Sequence, residues 1–588
     1  ALSGLAPASL SASLNRGQRR VLTTPISASA AGIGGLKLEV TGPGGFKVVR
    51  DVPIQIRPAQ APATLVASAP LAPGQRFVAD RAVLANWSPD ATASVSFSAT
   101  RGFDSRALAT ALAGYPYGCT EQLVSVAMPL VYRNELLAAN GQDRDPNASR
   151  RVLDSAGKVM DRLGEDGAIG LWRLGDGQSS PWLGAYATDF LSRAKAAGAA
   201  VPETSLDQAY AGMRQVAKLS DWSSSGYQTT VWTGPGQTDS PELMKSRGAA
   251  YALWTLARAG KTDLGPVRYF ADARLGAEPS PLARAQVGAA LSALGDNARA
   301  RRAFRQAEAA LGYRNNGDWY QSPVRDLAGV LALAAETGQT DLVARLSDRL
   351  AREAPDPQSL NTQELAQLAL AARALEDKAG PVLIAANGGQ ASPARGVVFP
   401  LAADGLAKGQ SFANAGKGPV FRNLVVAGVP ASPLPAVANG ISVSRRLFTP
   451  QGAALDPAAG LPPGDRVVVA VTVTGGAGRL IPALALDMLP AGLEFETVLT
   501  SADAQGYDGS RGPYAFLGGI TDAKVAEARD DRFVAALDVG QGTSTVAYVA
   551  RAVTPGSFTW PAVQAEDMYR PSVVARTAPG RLAIRPAP

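Results

Sequence analysis

The chain contains one cysteine and no histidine. The cysteine lies in Tyr115-Pro116-Tyr117-Gly118-Cys119-Thr120-Glu121-Gln122, three positions before a glutamine. Side chains at i and i+3 share a face once a helix begins. A sharp turn leading into a helix therefore brings the Cys119 thiol within bonding reach of the Gln122 carboxamide. A thiol that displaces ammonia from that amide leaves an internal thioester, an activated acyl group stored inside the protein. In that chemistry the Gln122 carbonyl is attacked and Cys119 is the leaving group. Gly118 is expected to take a backbone conformation closed to other residues, turning the sulfur back over the helix. Thr120 and Glu121 suit the first turn of a helix. Tyr115 and Tyr117 flank the sulfur as shields against water, since an exposed thioester hydrolyses.

The same residues have plainer readings. A free cysteine is among the most buried residue types and is usually inert. Glu121 reads equally as a charge at a helix start, Gln122 as a solvated side chain and the tyrosines as core. The absence of histidine narrows the field. It removes a Ser-His-Asp triad, a Cys-His pair and an HExxH zinc site. One cysteine excludes an internal disulfide framework and cysteine-rich metal sites, so no metal and no cofactor are expected.

At 588 residues the chain exceeds the size of one core and implies several domains. The net charge of +7 is dispersed, with no block dense enough for a nucleic-acid arm. No apolar run reaches about 18 residues, the length that spans a membrane. The chain opens Ala1-Leu2-Ser3-Gly4, without Met or a signal peptide, and reads as starting in mid-architecture, with any targeting signal upstream.

The elements that must position the cysteine follow from periodicity. Residues 35–40 and 46–57 alternate as strands, and short strands recur at 64–67, 77–80 and 93–98. From about residue 104 the period switches to 3.6. Helices are predicted at 123–139, 149–163, 182–197, 206–219, 241–259, 282–294, 298–310, 323–335, 340–351 and 362–375. Helix pairs recur at about 40–45 residues, the range of helical-pair repeats that form a solenoid or close into a ring. Strands return at 381–386, 395–399 and 419–429, where they are expected to complete the sheet begun at 63–100. Residues 440–588 read as a full β domain, with strong strands at 466–473, 532–538 and 543–553.

The octet resembles the thioester signature of the α2-macroglobulin/complement superfamily, and closely its bacterial branch. Gly170-Leu171-Trp172 with Pro181-Trp182-Leu183-Gly184-Ala185-Tyr186 resembles the second helical hairpin of the family's thioester domain. Asn361-Thr362-Gln363-Glu364-Leu365-Ala366 resembles its last helical pair. Asp487-Met488-Leu489-Pro490 and Glu566-Asp567-Met568-Tyr569-Arg570-Pro571 resemble the C-terminal macroglobulin domain of bacterial members. The resemblance implies a multidomain α and β protein: the end of a macroglobulin-like β domain (1–60), a CUB-like β domain in two segments (61–103 and 379–436), an α/α-toroid thioester domain between them (104–378), and a C-terminal macroglobulin-like β-sandwich (437–588). It implies that Met568 and Tyr569 complete the shield over Cys119 and Gln122, although a buried strand-end cluster is an equally good reading of that pair. It further implies a broad-spectrum protease trap that captures target proteases through their lysines, with the bait segment outside this chain. It places the protein in the bacterial periplasm, attached to the inner membrane through an N-terminal lipid, with a penicillin-binding protein as companion. Without histidine, the acyl-imidazole route of some members is closed, and direct transfer to amines is expected.

Two other classes stay open on the residues alone. An α/α-toroid glycosidase would need a carboxylate pair, for which Glu165 and Asp166 are available but not distinguished. A structural or binding module would leave Cys119 a free thiol.

Overall fold

The computed structural model describes residues 9–586 except 21, 23, 25, 28–30, 59, 100–111, 113–117, 135–144, 178, 219–239, 316, 317, 319, 354–359, 377–380, 395, 396, 477–479 and 507–510.

The helices between residues 120 and 376 are of two kinds, and burial explains the difference. One set consists of α1 (Thr120–Val131), α3 (Pro181–Ala196), α5 (Pro241–Arg258), α7 (Pro281–Ala293), α9 (Pro323–Glu336) and α11 (Thr362–Glu376). The other consists of α2 (Pro146–Met160), α4 (Glu203–Ala217), α6 (Leu264–Ala273), α8 (Asn297–Ala310) and α10 (Thr340–Glu353). Helices of the second set bury a single stripe; α10 buries Leu342, Val343, Leu346 and Leu350 and exposes the rest of its surface. Helices of the first set are buried on several faces: α3 buries the unbroken run Pro181 to Leu191. In this set α1 packs on α3, α3 on α5, α5 on α7, α7 on α9, α9 on α11, and α11 back on α1. The described inner helices thus close into a ring, with α2, α4, α6, α8 and α10 backing it. Close approach in the ring requires small residues. A Cβ on Gly248 of α5 would lie 2.4 Å from the Cβ of Pro181 on α3.

The inner helices start alike. Ser180, Ser240, Ser280 and Ser322 each precede a proline and cap their helix by accepting the N–H of Leu183, Leu243, Ala283 and Arg325. On α1 the residue in that place is Cys119. The opposite ends of the inner helices are tied by charge. Asp189 accepts from Arg193 Nε (2.9 Å), Arg258 Nε (3.0 Å) and the Tyr251 hydroxyl (3.2 Å). Arg193 also donates to the Tyr132 hydroxyl (2.6 Å) and to Glu336 (3.1 Å). Arginines there oppose the negative ends of the helix dipoles.

Strands on either side of the helical region share sheets. β3 (Ala63–Leu71), β4 (Arg76–Ala79) and β5 (Thr92–Ser98) precede it. β6 (Val382–Ala386), β7 (Ser392–Ala394), β8 (Val397–Pro400), β9 (Gln410–Asn414) and β10 (Val420–Gly428) follow it. They form one sheet in the order β3-β10-β5-β8 and a second in the order β4-β9-β6-β7, over a core that includes Phe97, Ile384, Phe412 and Val426. The hairpin β1 (Gly32–Thr41) and β2 (Lys47–Ile56) pairs only with itself. The half-buried face expected for residues 35–40 is not seen: Leu38 and Val40 are exposed, because no second layer covers this hairpin among the described residues.

The C-terminal region stacks a six-stranded sheet on a four-stranded one. The six-stranded sheet has the order β11-β21-β20-β14-β17-β16, built from β11 (Val437–Asn439), β14 (Ile481–Met488), β16 (Val525–Arg529), β17 (Arg532–Val539), β20 (Gln564–Asp567) and β21 (Arg570–Arg576). The four-stranded sheet has the order β12-β13-β18-β15, built from β12 (Ile441–Phe448), β13 (Arg466–Gly475), β15 (Leu493–Leu499) and β18 (Gly542–Ala552). Successive side chains of a strand point to opposite faces. On β14, Ala483 and Ala485 enter the sandwich core. Leu484, with Ala536 of β17, joins the core of the helical ring instead, as do Met568 and Tyr569. The sheet and the ring therefore share one apolar interface.

Asp189 is the buried carboxylate on which two arginines converge. Asp189→Ala is expected to lower stability by about 3–5 kcal/mol, because it leaves those charges without their partner. Urea unfolding of the helical region, followed by far-ultraviolet circular dichroism, checks this.

Candidate functional site

Cys119 has extended backbone (φ −67°, ψ 160°) and caps α1. Two reciprocal contacts join it to Gln122. The Gln122 backbone N–H donates to Cys119 Sγ at 3.5 Å, and the Cys119 N–H donates to Gln122 Oε1 at 3.3 Å. This is a capping box in which sulfur replaces the usual hydroxyl. Cys119, Thr120, Glu121 and Gln122 are all fully buried. The Gln122 Nε2 has no hydrogen-bond partner among the described residues, a costly state for a buried amide nitrogen. Burial, reinforced by the negative charge of Glu121, holds the Cys119 thiol far above the usual cysteine range and keeps it un-ionised.

The cap is held from behind by the turn after α2. The Thr120 N–H donates to Leu171 O (2.7 Å), and its hydroxyl donates to Gly170 O (2.6 Å). Gly170 is required there, because a Cβ would fall 1.9 Å from Arg173 O. Arg162 donates to Gly118 O (2.7 Å), Thr120 Oγ1 (3.0 Å) and Leu171 O (3.0 Å). Gly118 itself departs from expectation. It is not among the glycines with positive φ, so the turn does not draw on glycine's conformational freedom. A Cβ at Gly118 would meet open space. A groove between the ring and the six-stranded sheet reaches this residue, lined also by Trp172, Leu484, Val534 and Ala536.

Glu121 is buried and points away from solvent, unlike a typical helix-start charge. It accepts from the Ser125 hydroxyl (2.6 Å), the Gln363 amide (2.8 Å) and the Thr362 hydroxyl (3.0 Å). Thr362 and Gln363 open α11, so Glu121 fastens the first inner helix to the last. Ser125 also lies 3.1 Å from the Tyr186 hydroxyl of α3. Burial raises the carboxyl pKa above its ordinary 4.5, outweighing the three donors that lower it.

The C-terminal domain supplies the outer wall. Met568 and Tyr569 are 4% exposed. The Tyr569 carbonyl accepts from Asn361 Nδ2 (2.9 Å), at the start of α11. The Tyr569 ring meets the Tyr320 ring edge-on at 5.1 Å, and Tyr320 stacks on Trp182 at 4.6 Å. Tyr115 and Tyr117 lie outside the described residues. Glu165 and Asp166 are exposed in a turn, where Asp166 accepts from the Ala168 N–H (3.0 Å), so their surroundings give no support to a carboxylate-pair site. No group of acidic or cysteine side chains among the described residues is arranged to hold a metal. Sequence reasoning missed Ser125, Arg162, Tyr186 and Tyr320. Only Ser125 carries a local signal, one helical turn beyond Glu121.

Residues 440–572 match the family model described as the bacterial alpha-2-macroglobulin MG10 domain. The chain is 31% identical over 554 residues to alpha-2-macroglobulin of Escherichia coli strain K12, covering 91% of this chain and 32% of that protein. It is 30% identical over 492 residues to alpha-2-macroglobulin of Xylella fastidiosa strain Temecula1, covering 80% of this chain and 29% of that protein. The chain thus spans about a third of the length of the curated relatives it matches. A crystal structure of native E. coli alpha-2-macroglobulin from domain MG7 to the C-terminus superposes with a TM-score of 0.79 at 28% identity, covering 95% of this chain and 89% of that one. Salmonella alpha-2-macroglobulin reacted with methylamine superposes with a TM-score of 0.77 at 28% identity, covering 95% and 36%.

The raised pKa of Glu121 has a signed consequence. The folded state binds that proton more tightly than the unfolded chain, so the stability it contributes is full below the unfolded value of 4.5 and is lost as pH rises through the folded value. Glu121→Gln lacks this dependence. Wild type is expected to lose stability relative to Glu121→Gln as pH is raised from about 4 to about 8. Urea midpoints across that range check it, and a gap that does not change with pH contradicts it.

Proposed function

The chain belongs to the bacterial α2-macroglobulin family, and from that premise we propose that Cys119 and Gln122 form an internal thioester whose acyl group is transferred to amines. The observation that carries the reading is the buried reciprocal cap with its unpartnered Gln122 Nε2. Attack of Cys119 Sγ on the Gln122 Cδ forms the thioester and expels ammonia, which removes the one atom of the cap left without a partner.

The discharge follows from the same geometry. A lysine amine adds to Cδ, forming the C–N bond. The C–S bond breaks, its electron pair goes to sulfur as thiolate, and the ammonium proton passes to water. As negative charge develops on the carbonyl oxygen, the Cys119 N–H already points at it, 3.3 Å away, and serves as a preorganised donor. The same burial that keeps the thiol un-ionised makes the thiolate a poor leaving group while the site is closed. Reaction is thus coupled to opening. Met568 and Tyr569 form the part of the lid carried by the C-terminal domain, and by resemblance Tyr115 and Tyr117 belong to the rest. The absence of histidine favours direct aminolysis.

In this reading the helical ring is an α/α-toroid thioester domain inserted into a CUB-like domain, and the C-terminal sandwich caps it. The related Salmonella protein has been reacted with methylamine, which supports an amine-reactive centre here. The whole protein, of which relatives are about three times as long, would be a single-use protease inhibitor that captures target proteases through their lysines. Placement in the periplasm, a lipid anchor and a penicillin-binding partner belong to the same proposal.

Methylamine tests it. Wild type is expected to show no titratable thiol, then to release one per chain as methylamine is incorporated at Gln122. Tyr569→Gly is expected to react at least about tenfold faster, a barrier lowered by about 1.4 kcal/mol. A thiol titratable before any amine is added, with no methylamine incorporation, sinks the proposal.

A further inference from the structure

Arg162 follows α2 and has no place in the chemistry above, yet two of its three side-chain hydrogen bonds fall on residues of the Cys119 cap and the third on a carbonyl that holds the cap. It donates to Gly118 O at 2.7 Å and to Thr120 Oγ1 at 3.0 Å, the two residues that bracket Cys119. Its third bond, to Leu171 O at 3.0 Å, falls on the carbonyl that also takes the Thr120 N–H. One planar fork therefore joins Gly118 and Thr120, at the start of α1, to Leu171 in the turn after α2. A single-point cation cannot reproduce such a fork.

We propose that Arg162 is the positioning residue of the thioester: it clamps Gly118 and Thr120 so that the Cys119 sulfur stays over Gln122, and its positive charge stands by when that sulfur leaves as thiolate. The inference rests on the thioester reading. In the discharge, the C–N bond to the incoming amine forms and the C–S bond breaks. The sulfur takes the electron pair, and the amine's proton goes to water. Among the described residues, four groups face the sulfur electrostatically. Glu121 of α1 opposes thiolate formation and Arg162 favours it, while Tyr320, from the segment before α9, and Tyr569, from the C-terminal domain, are phenols kept neutral by burial. Burial lowers the pKa of Arg162, and the negative charges of a Cys119 thiolate, Asp176 and Asp161 partly offset that lowering. In a chain with no histidine, Arg162 is the cation placed to offset Glu121. A leaving thiol of lower pKa departs faster, so the charge bears on rate as well as on position.

The test uses the full chain, Arg162→Gln, Arg162→Lys and methylamine. Thiol content is measured first, then the rate of thiol release, then the pH titration of the released Cys119. Arg162→Gln is expected to release thiol about tenfold more slowly, with the freed thiol titrating about one unit higher. Arg162→Lys keeps the charge and is expected to restore the wild-type titration. Arg162→Gln that folds with a free thiol from the outset, while wild type closes the thioester, supports the same assignment at the forming step. Arg162→Gln with wild-type rate and wild-type titration overturns it. Where Arg162→Gln does not fold, Arg162→Lys decides: a wild-type titration supports the assignment, and a thiol raised by about one unit overturns it. Failure of the thioester reading itself is seen separately, as a free thiol in wild type before any variant is compared.

Discussion

The rest of the site depends on one buried helix cap. A helix start leaves backbone N–H groups without partners, and four of the inner helices satisfy theirs with serine. The first inner helix uses the sulfur of Cys119, and the Gln122 side chain returns the contact to the Cys119 N–H. What is elsewhere a matter of stability here places a thiol and a side-chain amide together, out of reach of water. The cap is then immobilised on three sides. Glu121 is locked to the last inner helix, Thr120 to the segment at Gly170 and Leu171, and the outer wall is closed by Tyr569. The ring closes because α11 packs on α1, and Glu121 sits at that seam.

The second constraint is the shared face between ring and sheet. β14 is buried along its whole length, because one face fills the sandwich and the other meets the helices. Met568 and Tyr569 follow β20 of the same sheet and belong to the helical core. The domain that covers the cap meets it through an apolar surface, the Asn361 hydrogen bond and the hydrogen bond between the Tyr320 and Tyr569 hydroxyls. Such a contact is separable, which suits a lid.

Much of this was legible in the sequence, for reasons that differ by element. Inner and outer helices show clear 3.6-residue patterns, so their positions were readable. Among the described helices of the ring and its backing layer, α6 alone was missed; it is short and buries just Val267 and Phe270. The spacing of Cys119 and Gln122 was readable because it is local. β14 was not, because a strand buried on both faces has no alternation to reveal it. Arg162 and Tyr320 carry no local signal, since their roles arise only where distant segments meet. Gly118 shows the limit of reading a glycine as a conformational device: its φ is ordinary, and what it leaves is open space.

A thioester joins Cys119 to Gln122 covalently, and the intact mass of the freshly folded chain under denaturing conditions, compared with that of Cys119→Ser, reads that bond out. Wild type is expected to be lighter than its sequence by one ammonia, and Cys119→Ser to carry its full sequence mass. Wild type at full sequence mass, with Cys119 titratable as a thiol, would contradict it.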